Sequence, residues 1–275
     1  MAATRPGRLE GKVCIVTGAG HPRGIGWTTI KRFAEEGPRH IYALDFEPKN
    51  FGILEEEARS KFPNTKVTFV QVDACDEAAI QGVCETAVQQ EGRLDVFFAN
   101  AGVLGSRHDL TCEEETLENF MRVLKNNVAS QFLALKHAPK YMTKPDDAKG
   151  KPVGGGSIVL TASIASYRGG LAPVAYTAGK AATASMAQST SVEFLRKGHN
   201  VRVNAVAPGF MKTELIPGGH FTHAREVVPE YFEDPICIAN AVLYLASEEA
   251  NFVNGETLVV DNTLINGIRL DKIFQ

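Results

Sequence analysis

Several absences narrow the possibilities for this chain. It has no apolar run long enough to span a bilayer, which removes the membrane-spanning classes. Its 29 basic residues are outnumbered by 32 acidic ones, for a net charge of −3, and they form no stripe or cluster. A nucleic-acid partner is therefore not expected. Only five cysteines occur, Cys14, Cys75, Cys84, Cys112 and Cys237, an odd number with no Cys-x-x-Cys pair. That argues against a disulfide framework and for reduced, mostly structural thiols in a cytoplasmic setting. Residues 1–10 lack the apolar core of a secretory signal. His220 and His223 have no ligand companions, so no metal is expected.

What remains is ordinary globular material, 275 residues of which 44% are hydrophobic and 22% charged, enough to bury a sizeable core. Short apolar runs at 12–17, 41–44, 67–72, 94–99, 157–160, 201–206 and 257–260 read as strands by their length and β-branched content. Helical patterns occupy 27–36, 51–62, 76–91 (with Asp76 as its cap), 113–125, 127–142, 176–195 and 235–247. The alternation predicts an α/β fold: a doubly wound, parallel, seven-stranded, Rossmann-like sheet with helices on both faces. No internal repeat or linker divides it, so residues 1–275 read as one domain with a core at about 9–261. Asn126-Asn127 predicts a break or kink, because the Asn amide competes for backbone groups. Residues 145–156 read as a flexible surface loop, and 210–234 show only weak periodicity.

The chemistry-bearing motifs sit at strand ends, where open parallel sheets bind ligands. The first strand runs into Gly18-Ala19-Gly20-His21-Pro22-Arg23-Gly24-Ile25-Gly26 and then a helix. Glycines let a backbone approach a pyrophosphate, and a helix start offers free N–H groups. Glycines also make plain turns, but the flanking strand and helix supply the required context. Asp45 closes the second strand, where a carboxylate can hold both ribose hydroxyls and repel a 2′-phosphate. Arg23 pulls the other way, since a guanidinium pairs with phosphate. Phe46 brings no second cation, so NAD is favoured over NADP. A strand-end serine, Ser163, is placed to reach a ligand, though it is also an ordinary turn residue. Tyr176 and Lys180 lie four apart on one helix face. A free phenol titrates near 10, and a neighbouring ammonium favours its ionised form.

In this order and spacing the motifs closely resemble the short-chain dehydrogenase/reductase family, over about residues 9–261. Thr17-Gly18 and Gly24-Ile25-Gly26 match the ends of its glycine motif, although the segment 19–23 is two residues longer. Asn100-Ala101-Gly102 matches its Asn-Ala-Gly element, and the interval from Ser163 to Tyr176 is the family's own. Pro208-Gly209 and Thr213 match a Pro-Gly-x-x-x-Thr element that lies over the nicotinamide carboxamide in the family. The resemblance implies a catalytic set of Asn127, Ser163, Tyr176 and Lys180. Tyr176 is the acid or base, Lys180 lowers its pKa and holds the nicotinamide ribose, Ser163 holds the substrate oxygen, and Asn127 positions a water. It implies cofactor contacts from Gly18, His21, Arg23, Gly24, Ile25, Asp45, Asp73, Ala74, Asn100, Ala101, Gly102, Tyr176, Lys180, Pro208, Gly209, Met211 and Thr213. A homodimer or homotetramer is also implied. The final strand leads into Asp261-Asn262-Thr263 where the family has Asp-Gly-Gly, so different packing is expected there.

The functional expectation is hydride transfer between NAD(H) and a small-molecule secondary alcohol or ketone. An apolar wall of Leu104, Ile164, Ala165, Phe210, Met211, Leu215, Ile216 and Phe221 favours a hydrophobic, terpenoid- or polyketide-like substrate. Arg168 is an alternative contact for an acidic substrate. Two other classes stay open: an NAD(H)-binding sensor or scaffold without turnover, and a non-redox isomerase on the same fold.

Overall fold

The computed structural model describes residues 6–107, 110–151, 153–213, 215 and 229–267. All seven predicted strands form, and they pair in one parallel sheet: β1 (Val13–Thr17), β2 (His40–Asp45), β3 (Lys66–Gln71), β4 (Val96–Ala99), β5 (Gly156–Thr161), β6 (Val201–Pro208) and, after two short strands, β9 (Thr257–Val260). The order is β3-β2-β1-β4-β5-β6-β9. The chain therefore winds outward in one direction from β1 to β3, then returns through β4 and winds the other way. That reversal between β1 and β4 opens a crevice at their carboxyl ends.

Strand burial follows from the two-residue side-chain period. Val13 and Ile15 of β1 point into one core, and Cys14 and Val16 into the other. Both faces are covered, which is why these strands read as continuous apolar runs. One face packs against α3 (Glu77–Glu91), α5 (Ser130–Met142) and α6 (Val174–Arg196) through Ile80, Leu133, Ala138, Ala187 and Phe194. The other packs against α1 (Ile25–Ala34), α2 (Phe51–Lys61) and α7 (Ile236–Ala246) through Trp27, Ile30, Leu54, Ile238 and Val242. Asp76 caps α3 as expected, accepting from the Ala79 amide at 3.0 Å.

Two local expectations change. The Asn126-Asn127 pair does not break the helix. Helix α4 (Leu117–Leu124) passes through a π turn, Lys125–Ala129, directly into α5. A π turn accommodates one extra residue without ending the helix, and such turns gather at functional sites. The loop at 145–156 is also less loose than its composition implies. Lys151 is 4% exposed and donates to the Leu94 carbonyl beneath the sheet. The weakly periodic region contributes β7 (Phe210–Met211) and β8 (Phe232–Glu233), a parallel two-residue pair outside the main sheet. A short helix, α8 (Leu264–Gly267), follows β9. Among the described residues no helix is long and apolar enough to cross a membrane.

Candidate active site

The carboxyl ends of β1, β2, β4, β5 and β6 open into one cavity of about 630 Å³. Gly18, His21, Gly24, Ile25, Asp45, Asn100, Ala101 and Gly102 line one end, and Ser163, Tyr176, Lys180, Pro208, Gly209, Met211 and Thr213 the other. Most of the residues nominated from sequence are thus brought together.

The glycine end is shaped by backbone proximity. Gly18 has φ +66°, a conformation that favours glycine, and a Cβ there would stand 2.9 Å from Asn100 Nδ2. Gly26 is tighter still, since its Cβ would overlap the Gly18 carbonyl. Helix α1 has Gly24 at its N-cap, with no side-chain cap and no acidic residue in its first turn. Gly24 and Ile25 line the cavity, so the uncapped helix start lies at its edge, an arrangement suited to a pyrophosphate. Asp45 Oδ2 accepts from the Gly20 amide at 2.7 Å and Oδ1 from Glu47 at 3.0 Å. A carboxylate has about four acceptor sites, so lone pairs remain for hydroxyl donors. The residues present fit a dinucleotide.

Three nominated cofactor residues are not among those lining this cavity. Arg23 is exposed and lines a neighbouring cleft with Thr28, Lys31, Lys212 and Asp234. Asp73 is exposed beyond β3 and accepts from Cys75 N at 2.8 Å, and Ala74 packs on the core beside it. His21 does line the cavity, and its Nδ1 faces the Arg23 amide at 3.2 Å.

At the other end, α6 begins two residues before Tyr176, just after Pro173. Its close approach to the π turn depends on Gly179, where a Cβ would lie 3.2 Å from Asn127 Cβ. Asn127 is fully buried and pairs with both backbone groups of Val103, accepting from its N at 2.7 Å and donating to its O at 2.8 Å. It does not line the cavity. Lys180, 3% exposed, donates to the Thr161 carbonyl at 2.7 Å, and its Nζ stands 5.5 Å from the Tyr176 ring centre. Ser163 and Tyr176 line the same part of the cavity, and Ser163 acts to lower the Tyr176 pKa.

The electrostatic balance differs from the sequence expectation. Burial pushes the Tyr176 phenol up to about 12, and Ser163 offsets only part of this. Burial also lowers Lys180 to about 7. Within the protein's own groups, desolvation outweighs the mutual effect of phenol and ammonium.

The supports were not legible in the motifs. Thr161 N and O pair with the Gln131 side chain at 3.2 and 3.0 Å, fixing the carbonyl that receives Lys180. Asn100 Nδ2 donates to Thr17 O and Gly18 O, so this side chain staples β1 to β4. Of the expected apolar wall, Leu104, Ile164, Ala165, Phe210, Met211 and Leu215 line the cavity. Ile216 and Phe221, with His220 and His223, lie outside the described residues. Leu110, Leu171 and Phe232 join the wall without having been nominated. Arg168 is committed to the Leu264 and Ile265 carbonyls, at 3.1 and 3.0 Å.

A family model described as enoyl-(acyl carrier protein) reductase matches residues 18–263. The chain belongs to the short-chain dehydrogenase/reductase family. This family member is 31% identical to secoisolariciresinol dehydrogenase of Forsythia intermedia, over 98% of this chain and 94% of that protein. It is 32% identical to a borneol dehydrogenase of Lavandula x intermedia, over 95% and 93%. The solved structure of a short-chain type dehydrogenase/reductase from Mycobacterium marinum superposes with a TM-score of 0.81 at 25% identity, covering 94% of this chain and 97% of that one. The short-chain dehydrogenase/reductase is accordingly an oxidoreductase of a family that uses nicotinamide cofactors on small-molecule alcohols and ketones.

Proposed function

We propose that this enzyme exchanges hydride between NAD(H) and an uncharged, hydrophobic secondary alcohol or ketone. One observation carries the reading: Ser163, Tyr176 and Lys180 line the same cavity as the glycine loop and Asp45.

A bound nicotinamide supplies the hydride donor or acceptor at the carbinol carbon. Gly18, Gly24, Ile25 and Asp45 would hold the adenosine side of the cofactor, and Pro208, Gly209 and Thr213 the nicotinamide side. Tyr176 faces the reacting oxygen. In reduction its phenol donates the proton, and its raised pKa keeps it protonated for that role. In oxidation it takes the proton back. The Ser163 hydroxyl holds the same oxygen as charge develops on it. Lys180 stands behind Tyr176, anchored by Thr161, and favours the phenolate when it carries its proton. Asn127 acts by holding Val103 and the π turn in place.

NAD is favoured because Asp45 lines the cavity while Arg23 lines a neighbouring cleft. A fluorescence titration with NADH and NADPH tests this, with NADH expected to bind at least tenfold tighter. Equal or tighter NADPH binding overturns it. The same reading includes a homo-oligomer, supported by exposed Leu117 and Met121 on α4 and Phe132 on α5. Light scattering at micromolar concentration tests it, and a monomer removes that part of the reading.

A further inference from the structure

The two halves of the cavity differ in charge. The ionisable side chains that line it, among the described residues, are His21 and Asp45 at the glycine end and Tyr176 and Lys180 at the reacting oxygen. Among the described residues the wall beyond Tyr176 is apolar. Its aromatic members are Phe210 and Phe232, 7% and 4% exposed, whose rings stack with centres 5.0 Å apart and 23° between their planes.

The backbone fixes this pair. In the β7–β8 ladder Phe210 sits opposite Phe232 and Met211 opposite Glu233, and Lys212 N donates to Glu233 O at 2.9 Å. Partners across a parallel ladder project to the same side. Leu264, fully buried, belongs to the same cluster, and Arg168 clamps the carbonyl of that residue. The aromatic surface is therefore held from both sides before any ligand arrives.

We propose that Phe210 and Phe232 form a specificity wall that selects ring-bearing, uncharged secondary alcohols and their ketones over open-chain ones. This rests on the reading of the site as an alcohol/ketone oxidoreductase. A flat, rigid face makes more simultaneous dispersion contacts with a ring than with a mobile chain. A ring also surrenders less conformational freedom on binding, so more of that contact appears as affinity. Among the described residues that wall carries no charge to pair with an ionised substrate, which disfavours acids and phosphates there.

The probes are a pair with equal carbon count, 4-tert-butylcyclohexanol and 2-decanol, oxidised with NAD. We expect the ring alcohol to be favoured at least tenfold in kcat/KM. Phe232→Leu keeps an apolar side chain but removes the flat face. It should lower that ratio about tenfold through KM, leaving kcat and NADH affinity near wild type. Phe232→Tyr, which restores the ring, should recover most of the preference. Equal turnover of the two alcohols by the wild type, or an unchanged ratio in a Phe232→Leu protein that still binds NADH, overturns the wall. If neither alcohol is oxidised, the parent reading fails separately. Calorimetric binding of the two corresponding ketones then decides. Ring preference that Phe232→Leu abolishes supports the wall, and equal or absent binding overturns it.

Discussion

Two lysines are buried at opposite ends of the same sheet. Lys151, 4% exposed, lies at the amino ends of the strands, and Lys180, 3% exposed, at the carboxyl ends. Each donates to a backbone carbonyl, Lys151 to Leu94 and Lys180 to Thr161. The difference is the countercharge. Lys151 stands 3.5 Å from Asp95, which Arg93 also grips at 2.7 and 2.9 Å. Burial lowers Lys151 and Asp95 offsets part of this, leaving it below its ordinary value. Burial raises Asp95, but the Arg93 hydrogen bond, Lys151 and the Val13 amide reverse this and leave it below the usual carboxylate range. Lys180 has no such compensation, and burial takes it down to about 7. The lower end of the sheet gives its lysine a countercharge, and the upper end leaves its lysine without one. A fold gains nothing from the second arrangement, which is the mark of a candidate functional end.

The strongest way to break this contrast is at the phenol beside the strained charge. Tyr176→Phe removes the proton donor while keeping the ring. Carbonyl reduction should fall about 10³-fold in kcat, within the usual range for a lost acid–base group. NADH affinity and melting temperature should stay near wild type. Full activity in this variant would end the mechanistic reading.

Lys180→Met separates function from stability. In the unfolded chain this lysine titrates at 10.5, and in the folded protein at about 7. Between those values the unfolded state binds more protons, so this group makes stability rise with pH from about 7 to about 10.5. Below about 7 the buried charge exerts its full cost, on the order of 3–5 kcal/mol. The Met variant, assayed without cofactor, should therefore gain stability at pH 6, and the gain should shrink toward pH 10. Urea melts at pH 6, 8 and 10 read this directly. A pH-independent difference would show that Lys180 is not strained.

Lys151→Met is the matching test at the other end. It removes one partner from a buried pair, although Arg93 still holds Asp95. A loss of about 2–3 kcal/mol is expected, below the full cost of orphaning a buried charge. kcat should not change. If Lys151→Met stabilised the protein as Lys180→Met is expected to, the two sites would not differ in kind.

The same contrast explains what was legible in the sequence. The sheet was legible because each strand is buried on both faces and so reads as a compact apolar run. Tyr176, Lys180 and Ser163 were legible because their spacing is local or motif-bound. The supports were not: Gln131 reaches Thr161 across 30 residues, and Lys151 reaches Leu94 across 57. Nothing near Lys151 in the chain distinguishes it from the other charges of a polar loop. Strands β7 and β8 are two residues each, too short to show a period, which hid Phe232 from the expected wall. Asn126-Asn127 did signal an irregularity, but an amide pair does not tell a π turn from a break. Arg23 was nominated from its position in the glycine loop, and the loop's lining of a second cleft could not be read from the chain.

The smallest effect lies where the last strand meets the substrate wall. Asn262 and Thr263 have φ of 49° and 66°, the positive-φ residues other than glycine among those described. They stand where the family pattern has glycines, and they keep the backbone shape that glycine would take. Asn262 is suited to this, and its Nδ2 donates to Glu230 O at 3.0 Å. Thr263 is β-branched, and a left-handed conformation costs it about 1–2 kcal/mol. Thr263→Gly removes that cost but adds freedom to the unfolded chain, worth about 0.5–1 kcal/mol. A net gain of about 0.5–1 kcal/mol is expected for Thr263→Gly, and no gain for Asn262→Gly, which forfeits the Glu230 contact. Parallel melts of the two variants measure the difference. Because Leu264 follows directly and packs with Phe210 and Phe232, a relaxed turn should also loosen the wall. Weaker ring-alcohol preference in the more stable Thr263→Gly protein would show that this strain, like that of Lys180, is kept for the site.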